Sequence, residues 1–276
     1  MPVLYIVATP IGNLEDISIR ALRILKQVKL VAAEDTRTTR NLLDKYEIKT
    51  KLTSYYEHSR RNKIDYIIQV LKESDVAVVS EAGMPGISDA GYELVQEAVQ
   101  NNIKVVVIPG ASAVITALVG SGLPADQFIY TGFLPRTQKA RRQFLQNLAD
   151  EQRTIVAFEA PHRLLKSLED IKLILEDRNI AVCREMTKKY EEIFRGTVSE
   201  SIQHFSQPRG EFTLVIEGAK TADKKIDGNV REKMLNLQQE GLTAREGVAR
   251  MMQETGVSRK ELYSLWISMK KENTHA

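Results

Sequence analysis

Cysteine is almost absent: Cys183, inside an apolar run, is the only one in 276 residues. No disulfide can close within the chain and no cysteine cluster can hold a metal, so a reducing cytoplasm is the expected setting. Long apolar runs are missing too. No stretch approaches the ~18 residues of a membrane span, and Met1 leads into a strand pattern with neither a basic region nor an apolar core, so neither a membrane nor a signal peptide is expected. There is no Walker-type phosphate loop, which excludes the ATPases and GTPases built on one. No two of the four histidines have zinc-site spacing, so no metal is expected. Repeats of solenoid period and low-complexity tracts are also lacking. An excess of one charge is nearly so: 39 Lys and Arg against 36 Asp and Glu leave +3, which permits a polyanionic partner without demanding one.

What is present is an alternation of strand and helix patterns. Strands are predicted near 4–8, 29–33, 75–79 and 104–108, and helices near 16–28, 36–46, 60–72, 89–100 and 112–120. That order argues for a mostly parallel sheet with helices on its faces. Ser59 and Ser88 or Asp89 are placed to cap two of these helices. Gly120, Gly122 and Pro124 then stop the last helix. With Ala125 the two glycines form a degenerate dinucleotide pattern, but it follows a helix rather than a strand and is read as a helix stop. A second α/β set follows, with strands near 128–131, 154–158, 180–184 and 212–217 and helices near 139–149, 162–176 and 198–205. After Gly218 a polar linker leads to two capping-box patterns, Thr243 with Glu246 and Ser258 with Glu261. The expected division is 1–122, an N-terminal α/β domain; 123–219, a second α/β domain; and 220–276, a linker with a helix-turn-helix-like helix pair.

Three strands in the first half stop in loops crowded with Gly and Pro: LYIVATPIGN over 4–13, VAVVSEAGMPGISDAG over 76–91, and KVVVIPGASAV over 104–114. In an open α/β sheet, ligands bind at the carboxyl ends of strands, where helix N-termini and unpaired N–H groups converge. One such loop is an ordinary turn; three describe a pocket. Glu81, flanked by glycine, can accept hydrogen bonds from an amino group or a ribose, or else cap the next helix. Ser112 has the same two uses. His58 and His162 follow strand-like segments and titrate near neutral pH, so either could be a base or a structural residue. The acid-free run Arg136, Lys139, Arg141 and Arg142, and a second at Arg60, Arg61 and Lys63, are either solvated helix faces or phosphate contacts.

TPIGNLEDI, AAEDTRTTR, SYYEH, GFLPR, EAPHRLL, REMTKKYEEI and RGEFTLVIEG, together with the loops above, identify the chain as resembling the tetrapyrrole methylase-like superfamily over essentially its whole length, in the branch that methylates ribosomal RNA. The resemblance implies two α/β domains of the tetrapyrrole methylase type with the cofactor cleft between them, plus a small C-terminal helical unit. It implies an S-adenosylmethionine-dependent enzyme that 2′-O-methylates the ribose of a cytidine in the decoding region of 16S rRNA in the 30S subunit, acting as a homodimer. By matching position, it places the cofactor against Pro10, Gly12, Glu81, Gly83, Met84, Pro85, Ser88, Ser112 and Ala113, with Phe158, Met186 and Glu211 from the second domain. Departures fall in the middle loop, where the family pattern SDAGTPLISDPG is here SEAGMPGISDAG. Glu81 keeps the charge with a longer reach, and Met84 loses a hydroxyl.

A ribose hydroxyl is a weak nucleophile until a base shares its proton. Positions in the matched motifs suggest Asp35 and His58 for that task, with Arg37 and Lys188 holding phosphate or lowering the hydroxyl pKa. Arg136, Lys139, Arg141 and Arg142 are the expected RNA contacts. Two other readings stand beside this one. A methyltransferase of the same fold could act on a tetrapyrrole or another small acceptor, against which stand TPIGN and the extra helices after Gly218. A non-enzymatic helix-turn-helix nucleic-acid binder would leave the three loops unexplained.

Overall fold

The computed structural model describes residues 1–55, 60–87, 91–220, 228–255, 257 and 259–272. Two compact units divide the chain, Met1–Ala219 and Lys220–Ala276. The first holds two five-stranded sheets. In one, β1 (Val3–Val7), β2 (Leu30–Ala33), β3 (Lys51–Ser54), β4 (Val76–Val79) and β5 (Lys104–Ile108) run parallel in the order β3-β2-β4-β1-β5. Strands β2 and β4 are buried at every residue, which is why they read as continuous apolar runs rather than alternating ones.

Alternate side chains still go to different faces. Val31, Ala33, Ala77 and Val79 pack under α1 (Ile19–Gln27) and α2 (Thr36–Lys45), whereas Leu30, Ala32, Val76 and Val78 pack under α3 (Arg60–Val70) and α4 (Gly91–Gln100). Adjacent strands β1 and β4 therefore send their following helices to opposite faces. This topological switch opens a crevice at the carboxyl edge. Ser18 and Asp35 cap α1 and α2 through side-chain oxygens. The expected caps at Ser59, Ser88 and Asp89 lie outside the described residues.

The second sheet is mixed, β6-β7-β10-β8-β9, built from β6 (Phe128–Phe133), β7 (Thr154–Glu159), β8 (Asn179–Arg184), β9 (Glu192–Thr197) and β10 (Phe212–Ile216). Its outer face is covered by α6 (Gln138–Gln146), α7 (Leu164–Leu175) and α8 (Val198–His204) through Leu145, Leu168, Ile171 and Val198. Its other face packs on α5 (Ala113–Ser121): Val114, Ala117 and Leu118 meet Val156, Ala181, Cys183 and Val215. Burial pushes the Cys183 thiol up to about 12, so it stays protonated and serves as a small apolar side chain.

Among its described residues the terminal unit has three helices, not the expected pair: α9 (Gly228–Gln239), α10 (Ala244–Thr255) and α11 (Arg259–Glu272). Met234, Met251, Leu262 and Trp266 form its core. The Thr243 and Glu246 capping box is formed, with Glu246 N–H donating to Thr243 Oγ1 and Thr243 N–H donating to the Glu246 carboxylate. Ser258 lies outside the described residues. Among the described residues no helix is long and apolar enough to cross a membrane.

The basic run on α6 is corrected in part. Arg141 is 3% exposed. Its guanidinium donates to Asp170 of α7 at 2.6 and 2.8 Å, and Arg142 donates to the other oxygen of the same carboxylate at 2.7 Å. Both arginines lock α6 to α7. Buried Arg141 is not available to phosphate, whereas Arg142 is 43% exposed with only Nε engaged, and Arg136 and Lys139 are exposed. Removing one partner of a buried pair leaves an uncompensated charge, which typically costs ~3–5 kcal/mol. Asp170→Ala is therefore expected to lower unfolding free energy by about that amount, read as a fall in the urea midpoint at unchanged slope. A loss within error of zero would show the pair to be energetically idle.

Candidate active site

The three loops anticipated from the sequence follow β4, β1 and β5, which are neighbours in the sheet, so their carboxyl ends stand side by side. The β1 and β4 loops are bridged: Thr9 N–H donates to Gly83 O at 2.9 Å and Gly83 N–H donates to Thr9 O at 3.1 Å. Gly83 makes the bridge with φ of +77°, a left-handed backbone that favours glycine. Pro10, Gly83 and Pro85 are buried in this junction, and Met84 leans on the α3/α4 core. Ser88 lies outside the described residues. Glu81 is exposed at the end of β4, and its N–H is held by Glu34 Oε2 at 3.3 Å. Glu34, at the end of β2, was not singled out in the sequence; its signal is the EDT sequence that closes that strand.

From the second sheet two further loops complete the site. Gly12 lies so close to the β8–β9 loop that a Cβ there would stand 2.4 Å from Lys188 Cγ and 2.7 Å from Thr187 Oγ1. Asn13 N–H donates to that same Thr187 Oγ1 at 3.0 Å. The β8–β9 loop is strained, with φ of +47° at Glu185 and +64° at Thr187. Such backbone persists only where its surroundings fix it. They do so here: Glu185 accepts from Glu211 N–H at 2.9 Å and from Lys188 Nζ at 3.1 Å, and Lys188 also reaches Glu211 at 2.8 Å. Burial alone would lower the Lys188 pKa; the hydrogen bonds to Glu211 and Glu185 outweigh it and hold the amine above the usual lysine value. Lys188 is thus a fixed cation at neutral pH and cannot accept a proton. Glu211, proposed for the adenosine, is engaged with Lys188, although its side chain remains 78% exposed.

Ile11, Ala111, Ala113, Phe158 and Met186 join one apolar cluster with α5, which brings three of the expected residues, Ala113, Phe158 and Met186, together. Phe158 stands edge-on to Tyr130 and Phe133. Ser112 is the N-cap residue of α5, yet its hydroxyl makes no capping bond. Thr9 Oγ1 is buried with no partner among the described residues. A donor-rich nine-residue helix start, two unspent hydroxyls, an exposed carboxylate and apolar walls suit a molecule with an amino-acid end, a ribose and a flat base.

Asp35 does not have the environment of a base. Its carboxylate accepts from Arg37 N–H at 2.7 Å and Thr38 N–H at 3.4 Å and pairs with the Arg37 guanidinium at 3.3 Å. The Arg37 N–H and guanidinium hold it below its ordinary value, so it is a helix cap and a weak proton acceptor. His58 lies outside the described residues, and His162 is exposed after β7. A cavity of about 990 Å³ opens at the opposite end of the sheet, between Met1, Lys29, Lys51 and Asp75. That amino edge lacks converging helix N-termini and is not the site.

Sheet order, switch point and facing loops define an α/β unit of two sheets whose loops meet at one site. The chain belongs to the tetrapyrrole (corrin/porphyrin) methylases, whose family model matches residues 3–201. It is a methyltransferase, and its methyl donor is S-adenosylmethionine. A protein of Synechocystis named ribosomal RNA small subunit methyltransferase I is 44% identical over 98% of this chain and 99% of its own. One of Bacillus subtilis with the same name is 42% identical over 96% and 94%. One of Thermotoga maritima is 52% identical over 78% of this chain and 98% of its own. Among solved structures, cobalt precorrin-4 methyltransferase superposes with TM-score 0.60 at 19% identity, covering 78% of this chain and 94% of that one. A diphthine synthase gives 0.59 at 15% identity, covering 78% and 90%. These likenesses show the fold.

Because Gly12 has no room for a side chain, Gly12→Ala must part the β1 and β8–β9 loops. S-adenosylmethionine binding by calorimetry is expected to weaken roughly tenfold, a cost of about 1.4 kcal/mol, with the urea midpoint nearly unchanged. Undiminished affinity would remove the loop contact from the binding site.

Proposed function

We propose that this protein transfers the methyl of S-adenosylmethionine to the ribose 2′-hydroxyl of a cytidine in the decoding region of 16S rRNA, within the 30S subunit, in the cytoplasm. The observation that carries the reading is the 44% identity with a ribosomal RNA small subunit methyltransferase I along 98% of the chain. The cofactor supplies a methyl on a sulfonium. The protein's part is to hold the acceptor oxygen in line with it and to take its proton, and positioning of this kind supplies much of the acceleration. Gly12, Glu81, Gly83, Met84, Pro85, Ser112, Ala113, Phe158 and Met186 form the cofactor walls in this reading. Lys188, a permanent cation held by Glu185 and Glu211, stabilises charge on the acceptor. Asp35 orients Arg37 and the start of α2, which leaves proton acceptance to His58.

The decisive measurement is mass spectrometry of 16S rRNA from a strain lacking this protein, with loss of one ribose methyl on a cytidine expected. An unchanged methylation map, or radiolabelled methyl passing to a precorrin instead of 30S subunits, overturns the reading. In the same assay His58→Ala is expected to lose about 10²–10⁴-fold in turnover. Asp35→Asn, still a good cap, should stay near wild type; the reverse result would return the base to Asp35.

A homodimer fits the same reading. The edge strand β5 and the helix after it expose Val107, Ile115 and Val119, at 53%, 49% and 72%, and unpaired sheet edges with apolar side chains invite a partner. Sedimentation equilibrium should give a dimer that Val119→Glu converts to monomer. A monomeric wild type at micromolar concentration refutes it.

A further inference from the structure

We propose that the open cavity between α2, β3 and α3 is a binding site for the phosphodiester backbone of a single RNA strand beside the nucleotide being methylated; the proposal rests on the RNA reading above. The cavity measures about 700 Å³ and is lined by Thr36, Arg37, Arg40, Asn41, Leu52, Thr53, Ser54 and Lys63. Three cations, three hydroxyls and an amide face it, and among the described residues the lining contains no acid. Phosphate contacts in nucleic-acid complexes come from this set of side chains.

The cations are available. Arg40 has no acidic partner among the described residues, and the one hydrogen bond Lys63 makes among them is to Thr53 Oγ1, at 3.4 Å. Arg37 is 91% exposed and gives Asp35 one contact at 3.3 Å, leaving other guanidinium N–H groups to donate. Arg37, Arg40 and Asn41 are spaced three and four residues apart on one face of α2. The α2 backbone itself is not the anion site, because Asp35 already accepts from the N–H groups of Arg37 and Thr38. Side chains must do the binding, and they are spread more widely than a single phosphate spans.

Position favours a strand over a free anion. The cavity sits where β2 and β3 end, on the same carboxyl edge as the loops of β4 and β1, in the order β3-β2-β4-β1. Two strand spacings separate β3 from β4, roughly 10 Å. An RNA strand with one nucleotide in the cleft would run over the cavity with its neighbouring phosphates.

The test uses the full-length protein and the double variant Arg40→Gln, Lys63→Gln, measured by fluorescence anisotropy on a single-stranded RNA fragment between 50 and 200 mM salt. Each phosphate contact contributes ~0.7 to the slope of log affinity against log salt for single strands. The variant is expected to lose about 1.4 from that slope and roughly tenfold in affinity, with S-adenosylmethionine affinity unchanged. On 30S subunits its KM should rise with kcat within about twofold. An unchanged slope overturns the proposal, as does a wild type that binds no RNA. Tight calorimetric binding of inorganic phosphate, lost in the variant while RNA binding persists, assigns the cavity to a free anion and also overturns it. A wild type that binds the fragment but methylates no cytidine defeats the assigned reaction alone, because the slope is read without methyl transfer.

Discussion

Helix α5 is the constraint on which the site depends. Its N-terminus is fixed by β5 at the carboxyl edge of the parallel sheet, while Val114, Ala117 and Leu118 are sealed against Val156, Ala181, Cys183 and Val215 of the mixed sheet. Each valine or leucine among them gains ~1.5–3 kcal/mol by burial, enough together to resist sliding of one sheet over the other. The helix thereby sets the distance across which the loops must work. Ile11 and Met186 enter the same cluster, so loops from both sheets are packed by the contacts that join the sheets.

That arrangement explains why strain is tolerated at Glu185 and Thr187. A left-handed non-glycine residue costs of order 1–3 kcal/mol, and two occur in three residues here. Glu211 N–H, Lys188 and Asn13 N–H hold the turn from three directions. A looser loop would relax to a lower-energy backbone and carry Lys188 away from Gly12. Preorganisation in this protein is thus built from local strain balanced by long-range hydrogen bonds.

The parallel sheet was legible because its central strands are buried on both faces and stop abruptly at Gly and Pro; β1, β4 and β5 lie within a residue of where the pattern put them. Edge strands were harder. EIFRGT (β9) is half-buried with charged residues among its apolar ones, and no strand was read there; KLTS (β3), with Lys51 exposed, showed only as a strand-like segment. The helix α9 carries few apolar residues, and its burial comes from α10 and α11. At the site, loops were readable from glycine and proline, but charge partnerships were not. Arg141 looks solvated in a basic run until Asp170, 29 residues further on, buries it in an ion pair. Asp35 looks like a base until the N–H groups of its own helix claim it. Local pattern reveals where backbone is exposed, whereas the protonation and availability of a side chain depend on distant neighbours.

The placement of charge follows the same logic. Residues 220–276 hold eleven Lys and Arg against eight Asp and Glu, so the first 219 residues balance at 28 of each and the whole excess of +3 belongs to the terminal unit. The Thermotoga relative matches 78% of this chain over 98% of its own length, close to the extent of the first unit alone. The methylase unit therefore has no net attraction for a polyanion. Any it exerts must come from local separation of charge, with acids spent in caps and ion pairs such as those of Asp35 and Asp170 while Arg40 and Lys63 face a cavity with no acid among its described lining residues. Within a Debye length of ~8 Å at physiological salt, it is this local field that a ligand at the carboxyl edge experiences.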